Sequence, residues 1–430
     1  MSSTQPSEWE YRENSLFCED VDLSQAASSH GTPAYVYSKR AILGSLYAYR
    51  GALAGVPHQI CFAVKANSNI GILNLLARAG AGFDIVSGGE LYRVLAAGGD
   101  PAAVVFSGVG KTSTEIRFAL EKGIHSFNCE SETELGQISR AAALLNLTAS
   151  VAIRVNPDVN AITHPYISTG LREHKFGIDI NVAEDLYRRA AMLPGLLPEG
   201  VSCHIGSQIL ATDPLLEAAD KVLSFAVRLR ALGHPIRYID LGGGLGVAYR
   251  AEEHAPAVHT FLEALKLRIQ KLDLTLMLEP GRSISAEAGV LLTRVLLTKQ
   301  NGGKRFIIVD AAMNDLLRPA LYKAYHEITP VRQPRGDKLI LADVVGPICE
   351  TGDFFAHNRE LPEVETGDLL AIRTAGAYGF ALSSNYNSRP RPCELLVDGD
   401  DLRVIRRRET YEDLIRGETI RAESPLITEI

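Results

Sequence analysis

The sequence predicts a (β/α)8 TIM-like barrel joined to a second, mostly β domain of sandwich or barrel character. Three observations carry that reading. Eight apolar, β-branched runs alternate with stretches of helical spacing. The alternation stops near Ala286, after which strand-like runs follow one another with few helices between. Residues of distinctive chemistry stand at the C-terminal ends of the eight runs, the face on which such barrels carry their active sites.

The eight runs are Ile60–Val64, Phe83–Val86, Val104–Ser107, Ile124–Cys129, Val151–Val155, Gly200–His204, Tyr238–Leu241 and Leu274–Glu279. Between them Ile72, Leu75, Leu76 and Ala79 form one apolar stripe, and Leu215, Ala218, Ala219 and Val222 another. Residues 41–285 are therefore assigned to the barrel, close to the roughly 250 residues that one takes. A doubly wound open sheet is the alternative. Beyond Ala286 come Val290–Leu297, Phe306–Asp310, Leu339–Val345, Leu369–Thr374, Leu395–Val397 and Leu402–Arg407, with a turn signal at Asp398-Gly399-Asp400-Asp401. Ala34–Tyr37 precedes the barrel and reads as a strand of the second domain, which takes residues 1–40 and 286–430.

Composition removes several classes of function. At 46% hydrophobic and 22% charged, the 430 residues suit a globular protein. A net charge of −7 offers no basic field for a nucleic acid. The most apolar run, Gly289–Leu297, is interrupted by Arg294 and falls short of the roughly 18 residues a membrane span needs. Met1–Asn14 is polar and lacks a signal-peptide core. Cysteines 18, 61, 129, 203, 349 and 393 are scattered, with no Cys-x-x-Cys pair and no histidines at ligand spacing. The expectation is a cytoplasmic enzyme without a metal, a membrane or a nucleic acid partner.

The strand ends carry Lys65, Asp84 with Ser87, Ser107, Cys129 with Glu130, Arg154, His204 with Ser207, Gly242-Gly243-Gly244, and Glu279 with Arg282. Each has a bland reading. Lys65 reads as a surface lysine, or as an amine whose pKa is lowered by desolvation and neighbouring charge so that it attacks an aldehyde. The glycine tract reads as a tight turn, or as backbone N–H groups closing on a phosphate. It is neither a Gly-x-Gly-x-x-Gly fingerprint nor a Walker A loop. His204 reads as a satisfied core histidine, or as a ring stacked on a flat cofactor. Glu279-Pro280-Gly281-Arg282 reads as a turn with a solvated ion pair. Its other reading is a carboxylate beside a ring nitrogen, with an arginine over an anionic substrate.

Taken together, the second readings fit pyridoxal 5'-phosphate, which needs an aldehyde-trapping lysine, a phosphate cradle and a partner for its pyridine nitrogen. A glutamate partner keeps that nitrogen protonated and so favours decarboxylation over racemisation.

The motifs Phe62-Ala63-Val64-Lys65-Ala66-Asn67, His204-Ile205-Gly206-Ser207-Gln208, Leu241–Gly244 and Glu279–Arg282 resemble those of the fold-type III pyridoxal-phosphate decarboxylases. Asp310–Tyr322, Gly346–Asp353, Gly376–Tyr378 and Asn385–Pro390 resemble the diaminopimelate decarboxylases among them, and the likeness runs from about Leu16 to Arg416. One departure is Thr351, where a serine is common; the hydroxyl is kept.

The resemblance implies a homodimer with shared active sites that converts meso-2,6-diaminopimelate to L-lysine and CO2, the last step of lysine biosynthesis. It makes Lys65 the lysine that traps the cofactor and His204 the stacked ring. Glu279 becomes the partner of the pyridine nitrogen. Ser207, Gly243, Gly244, Gly281 and Tyr378 fall around the cofactor, and Arg282 at both cofactor and substrate. Arg318, Tyr322, Glu350 and Tyr378 match substrate positions. Cys349 matches the catalytic proton donor, contributed by the opposite subunit. Meso-diaminopimelate keeps a distal carboxylate, which Arg282 and Arg318 suit, and a distal ammonium, which Glu350 suits. The alternatives are decarboxylation of another basic amino acid or a carboxylated polyamine on the same fold, or a non-catalytic pyridoxal-phosphate-binding regulatory protein.

Overall fold

The computed structural model describes residues 8–159, 175–333, 336 and 338–420. Eight strands run parallel: His58–Ala63, Gly82–Ile85, Val104–Phe106, Ser126–Cys129, Ala149–Asn156, Leu196–Ser202, Tyr238–Asp240 and Thr275–Leu278. The last pairs with the first through Leu276 opposite His58 and Leu278 opposite Ile60. That pairing closes the barrel and removes the open-sheet alternative, which would leave two free edges.

Cys61, Val105, Ala152, Tyr238 and Met277 pack as a cluster apart from the main core, as side chains turned into a barrel do. Gly200 has its reason there. A Cβ at that position would lie 2.2 Å from the Tyr238 ring, so a strand residue without a side chain is required.

The main core lies between the strands and the surrounding helices. Helix Asp213–Ala231 buries Leu215, Ala218, Ala219 and Val222, as its spacing predicts. Helix Ile70–Arg78 buries Ile72, Leu73 and Leu76, and Leu75 of the predicted stripe is only half-buried. Asn69 caps this helix by accepting from the Gly71 N–H at 2.8 Å.

The second domain is a nine-stranded, mostly antiparallel sheet. Its long strand Gly289–Asn301 pairs with Lys304–Val309, Leu369–Ile372 and Ala34–Ser38. Ala34–Ser38 in turn runs parallel to Cys393–Asp398. The early run thus belongs to this sheet although the whole barrel lies between them in sequence. Two strands of this sheet were not expected, nor was the small sheet of Trp9–Arg12, Ser15–Cys18 and Val21–Asp22. Phe354–Pro362 carries His357, Asn358, Arg359 and Glu360 in a row and is an edge strand with register shifts, so its polar residues never need to alternate cleanly. The three-residue strand Ile328–Pro330 is too short to show a period.

Of the expected companion segments 1–40 and 286–430, residues 1–7, 334, 335, 337 and 421–430 lie outside the described residues, as do 160–174 of the barrel segment.

The two domains meet where the site forms. A Cβ on Gly376 would lie 1.9 Å from the Ser285 carbonyl oxygen, so the backbones approach as only glycine allows. The Asn67 amide donates to the Gly376 carbonyl at 3.1 Å, and the Tyr378 N–H to the Ala66 carbonyl at 2.8 Å. The turn that carries Lys65 is thereby fastened to the β domain. No described helix is long and apolar enough to cross a membrane, and no described group of three or more side chains is arranged to hold a metal ion.

Candidate active site

A cavity of about 510 Å³ opens at the C-terminal mouth of the barrel. Lys65, His204, Ser207, Gly244, Glu279, Gly281, Arg282, Arg318, Tyr322 and Tyr378 all line it. Residues predicted from positions scattered over three hundred residues thus converge. Gly243, Cys349 and Glu350 do not line it. Gly243 backs the wall, where a Cβ would lie 2.3 Å from the Glu279 carbonyl oxygen. Cys349 and Glu350 are exposed, and Cys349 alone among the six free cysteines is so; it is not the buried apolar filler that most free cysteines are. A larger groove of about 1170 Å³ beside helix Lys39–Ala52 contains none of the predicted residues.

The floor is acidic. Lys65 sits on the single turn Val64–Ala66 after the first barrel strand, and its Nζ donates to Asp84 Oδ2 at 2.6 Å. Burial pushes the ammonium down, but Asp84 and Glu279 more than reverse this, and the amine holds its proton more tightly than an ordinary lysine. That corrects the expected lowering. The neighbouring charge is a carboxylate in contact, and it stabilises the protonated form. Glu279 Oε1 accepts from Asn128 Nδ2 at 3.1 Å and from the Ser107 hydroxyl at 3.3 Å. The same Asn128 nitrogen donates to Asp240 Oδ2 at 2.9 Å. Burial, then repulsion from Asp240 and Asp84, raises the Glu279 carboxyl well above the usual range.

His204 presents a flat, neutral ring. The Gly243 N–H donates to its Nδ1 at 3.3 Å, so that nitrogen carries no proton. Burial and the nearby Arg154 push its pKa well below the ordinary imidazole value. Arg154 also donates to the His204 carbonyl at 3.3 Å and is itself held by Glu130 at 2.8 Å.

The opposite wall is basic. Arg282 donates to the Tyr249 hydroxyl at 2.6 Å and to Ser207 Oγ at 3.2 Å, and its guanidinium lies 4.8 Å from the Tyr378 ring centre. Arg318 opens the short helix Arg318–Tyr322; its guanidinium lies 4.4 Å from the Tyr249 ring centre and donates to His326 Nε2 at 2.8 Å. Both arginines are buried, at 8% and 6% exposure. Among the described residues neither has a carboxylate within ion-pair distance. Tyr378 and Gln208, both facing the cavity, adopt left-handed backbone at φ 55° and 59°.

Asn128, Asp240, Tyr249 and His326 escaped the sequence reading. Asn128 and Asp240 read as interior positions of strands. Tyr249 follows the glycine tract by a few residues, and its place in a late βα loop was the available signal. His326 belongs to the other domain and carries no local pattern.

Residues 40–286 match the family described as pyridoxal-dependent decarboxylase, pyridoxal binding domain. This sets the class of protein. The diaminopimelate decarboxylase of Pseudomonas aeruginosa is 58% identical over 95% of this chain and 98% of its own, and that of Vibrio cholerae 51% over 95% and 97%. The Helicobacter pylori diaminopimelate decarboxylase, solved with L-lysine, superposes with a TM-score of 0.88 at 46% identity over 92% of this chain and 98% of that one. The enzyme from M. jannaschii gives 0.91 at 38% over 96% and 98%. The chain belongs to the diaminopimelate decarboxylases.

The cavity suits the cofactor of that family. Lys65 offers an amine at its edge, and Glu279 a carboxyl that takes or gives a proton. Gly244, at φ 105° with its Cβ position 2.6 Å from the Gly206 carbonyl oxygen, keeps its backbone bare for a phosphate. The Arg282 Nε is buried without a partner beside it.

Proposed function

We propose that this chain decarboxylates meso-2,6-diaminopimelate to L-lysine and CO2, in a homodimer whose subunits share their active sites. One observation carries the substrate: Arg282 and Arg318 are buried without a carboxylate on the wall of the cavity that holds Lys65. Buried guanidinium groups without a counter-ion are costly. A substrate that retains a second carboxylate through the reaction supplies the missing charge. Ornithine, lysine and arginine have one carboxylate, the one that leaves.

Bound pyridoxal phosphate supplies the sink for the electron pair left behind when CO2 departs. Lys65 would hold it by its amine, which the contact with Asp84 Oδ2 at 2.6 Å keeps in place. Glu279, oriented by Asn128, which also ties it to Asp240, would hold the pyridine nitrogen and keep it protonated. His204 would cover the ring with its neutral face. Ser207, Gly244 and Tyr378 would hold the phosphate, with Gly281 also lining the cavity and Gly243 behind its wall. Arg282 and Arg318, with Tyr322, hold the retained carboxylate.

Cys349 and Glu350 act in the partner's cavity. Their loop has a defined shape: Asp353 accepts from the Ile348 and Met313 N–H groups at 2.7 Å each, and the Cys349 N–H donates to Asn387 Oδ1 at 3.0 Å. A thiol and a carboxylate held in a fixed, exposed loop suit delivery to a second copy. Cys349 Sγ gives its proton to the substrate Cα, and Glu350 pairs with the distal ammonium.

The test offers meso-diaminopimelate, ornithine, lysine and arginine side by side and identifies the products. Only diaminopimelate should release CO2 at an appreciable rate. Comparable turnover of a mono-carboxylate would overturn the proposal.

A further inference from the structure

His326 is fully buried in the β domain, eight residues after Arg318. Its two ring nitrogens have different partners. Arg318 Nη1 can only donate, so Nε2 is an acceptor at 2.8 Å. The Arg373 carbonyl can only accept, so Nδ1 carries the hydrogen at 2.8 Å. The residue's own carbonyl accepts from Arg359 at 2.9 Å, and the Glu327 carbonyl accepts from the Arg373 N–H at 2.8 Å. The imidazole is therefore anchored to the ends of two paired sheet strands, Ile328–Pro330 and Leu369–Ile372. Its ring stands edge-on to Tyr249 at 5.3 Å, and the face of Tyr249 carries the Arg318 guanidinium at 4.4 Å.

From this we propose that His326 is the positioning residue for Arg318: a neutral acceptor that aims the guanidinium at the retained carboxylate and leaves its charge unspent. The proposal rests on the substrate reading above. Most buried arginines are held by carboxylates, which orient them and neutralise them together. A carboxylate here would compete with the substrate for the same N–H groups. A neutral nitrogen fixes the planar fork without competing. Burial and the adjacent Arg318 keep the ring neutral, with its pKa pushed down to about 3. The charged groups facing it are Arg318, Arg282 and Arg359, each of which opposes a positive charge on the ring, and Tyr249 packs against it.

Two replacements separate the two ends of the ring. His326→Gln sets an amide oxygen near the Nε2 position. His326→Asn keeps a donor for the Arg373 carbonyl but withdraws from Arg318. The readouts are L-lysine affinity, followed through the absorbance of the bound cofactor, and the division of the effect between KM and kcat for diaminopimelate. Cofactor retention and melting temperature report folding. His326→Asn should weaken lysine binding about tenfold or more, the worth of one hydrogen bond to a charged group, with KM rising more than kcat falls. His326→Gln should restore most of it.

In an Arg318→Lys background, His326→Asn should add little, because it acts through Arg318. If Arg318→Lys alone left lysine affinity intact, the substrate reading would fail. If Arg318→Lys lost it while His326→Asn, folded and with cofactor, kept wild-type affinity and KM, the role of His326 alone would be overturned. Equal losses for Asn and Gln, or full additivity with Arg318→Lys, would overturn it as well.

Discussion

The floor and the wall of one cavity handle charge in opposite ways. On the floor, Asp84, Asp240 and Glu279 are buried together, and each meets a donor: Lys65 for Asp84, Asn128 for the other two. On the wall, Arg282 and Arg318 are buried as deeply, and their protein partners are the neutral Tyr249, Ser207 and His326. The floor sets three buried carboxyls against one ammonium, and Glu279 keeps its proton more readily than an ordinary carboxyl. The wall is complete in its geometry and lacks an anion. In the proposed function, a site acidic at one end and basic at the other orients the substrate before any chemistry occurs, with its retained carboxylate at the wall and its reacting carbon toward Lys65.

The strongest way to break the floor is Lys65→Ala. Activity should fall on the order of 10⁴-fold or more, and borohydride should no longer fix the chromophore to the chain. In the unmodified protein, peptide mapping should place the reduced adduct on Lys65; an adduct on another lysine would refute its role. In the proposed function, Cys349→Ala leaves floor and wall intact and removes only the proton that ends the reaction. It should keep cofactor and lysine binding while kcat drops by roughly 10²–10⁴. Mixing it with Lys65→Ala should restore activity once subunit exchange is demonstrated with differently tagged chains, because one site of each hybrid then has both residues. Proven hybrids without activity would end the shared-site reading.

Arg318→Lys keeps the charge of the wall but loses its planar fork. We expect kcat/KM for diaminopimelate to fall by about 10–100-fold with cofactor binding unchanged, and wild-type kinetics would remove Arg318 from the substrate.

These residues were unequally legible in the sequence. Lys65, His204, the glycine tract and Glu279 could be found because each ends a barrel strand, and a strand end in this architecture is already an address. The domain texture showed too, since the helical period ceases at Ala286 and does not return. Asn128 and Asp240 could not be separated from ordinary strand residues, because what distinguishes them is the Asn128 amide donating to both Asp240 and Glu279, 112 and 151 residues further on. Tyr249 and His326 act on arginines that come from different domains, a relation no local window contains. The predicted lowering of the Lys65 pKa failed for a related reason. Desolvation was foreseeable from position, but the 2.6 Å contact with Asp84 required the register of two neighbouring strands.

The smallest expected effect contrasts floor and wall through pH. His326 is depressed in the fold from 6.5 to about 3, so the unfolded chain binds the extra proton and stability is lost as pH falls from about 6.5 toward 3. Glu279 is raised, so the folded chain binds the extra proton, and the stability this gives is present below about 4.5 and lost as pH rises through its folded value. His326→Gln should therefore flatten the fall in melting temperature on acidification from pH 7 to 5. Glu279→Gln should gain relative to wild type as pH rises. Parallel pH profiles for both variants would contradict the opposed character of floor and wall.

The central claim is that the wall waits for the carboxylate the substrate keeps. A crystal structure of the cofactor-loaded protein with L-lysine tests it most directly. The lysine α-carboxylate should lie on the Arg318 and Arg282 guanidinium groups at about 2.7–2.9 Å, with its side-chain amine toward Lys65 and the floor. A lysine bound the other way round, its carboxylate over the floor and the two arginines still without an anion, would contradict it.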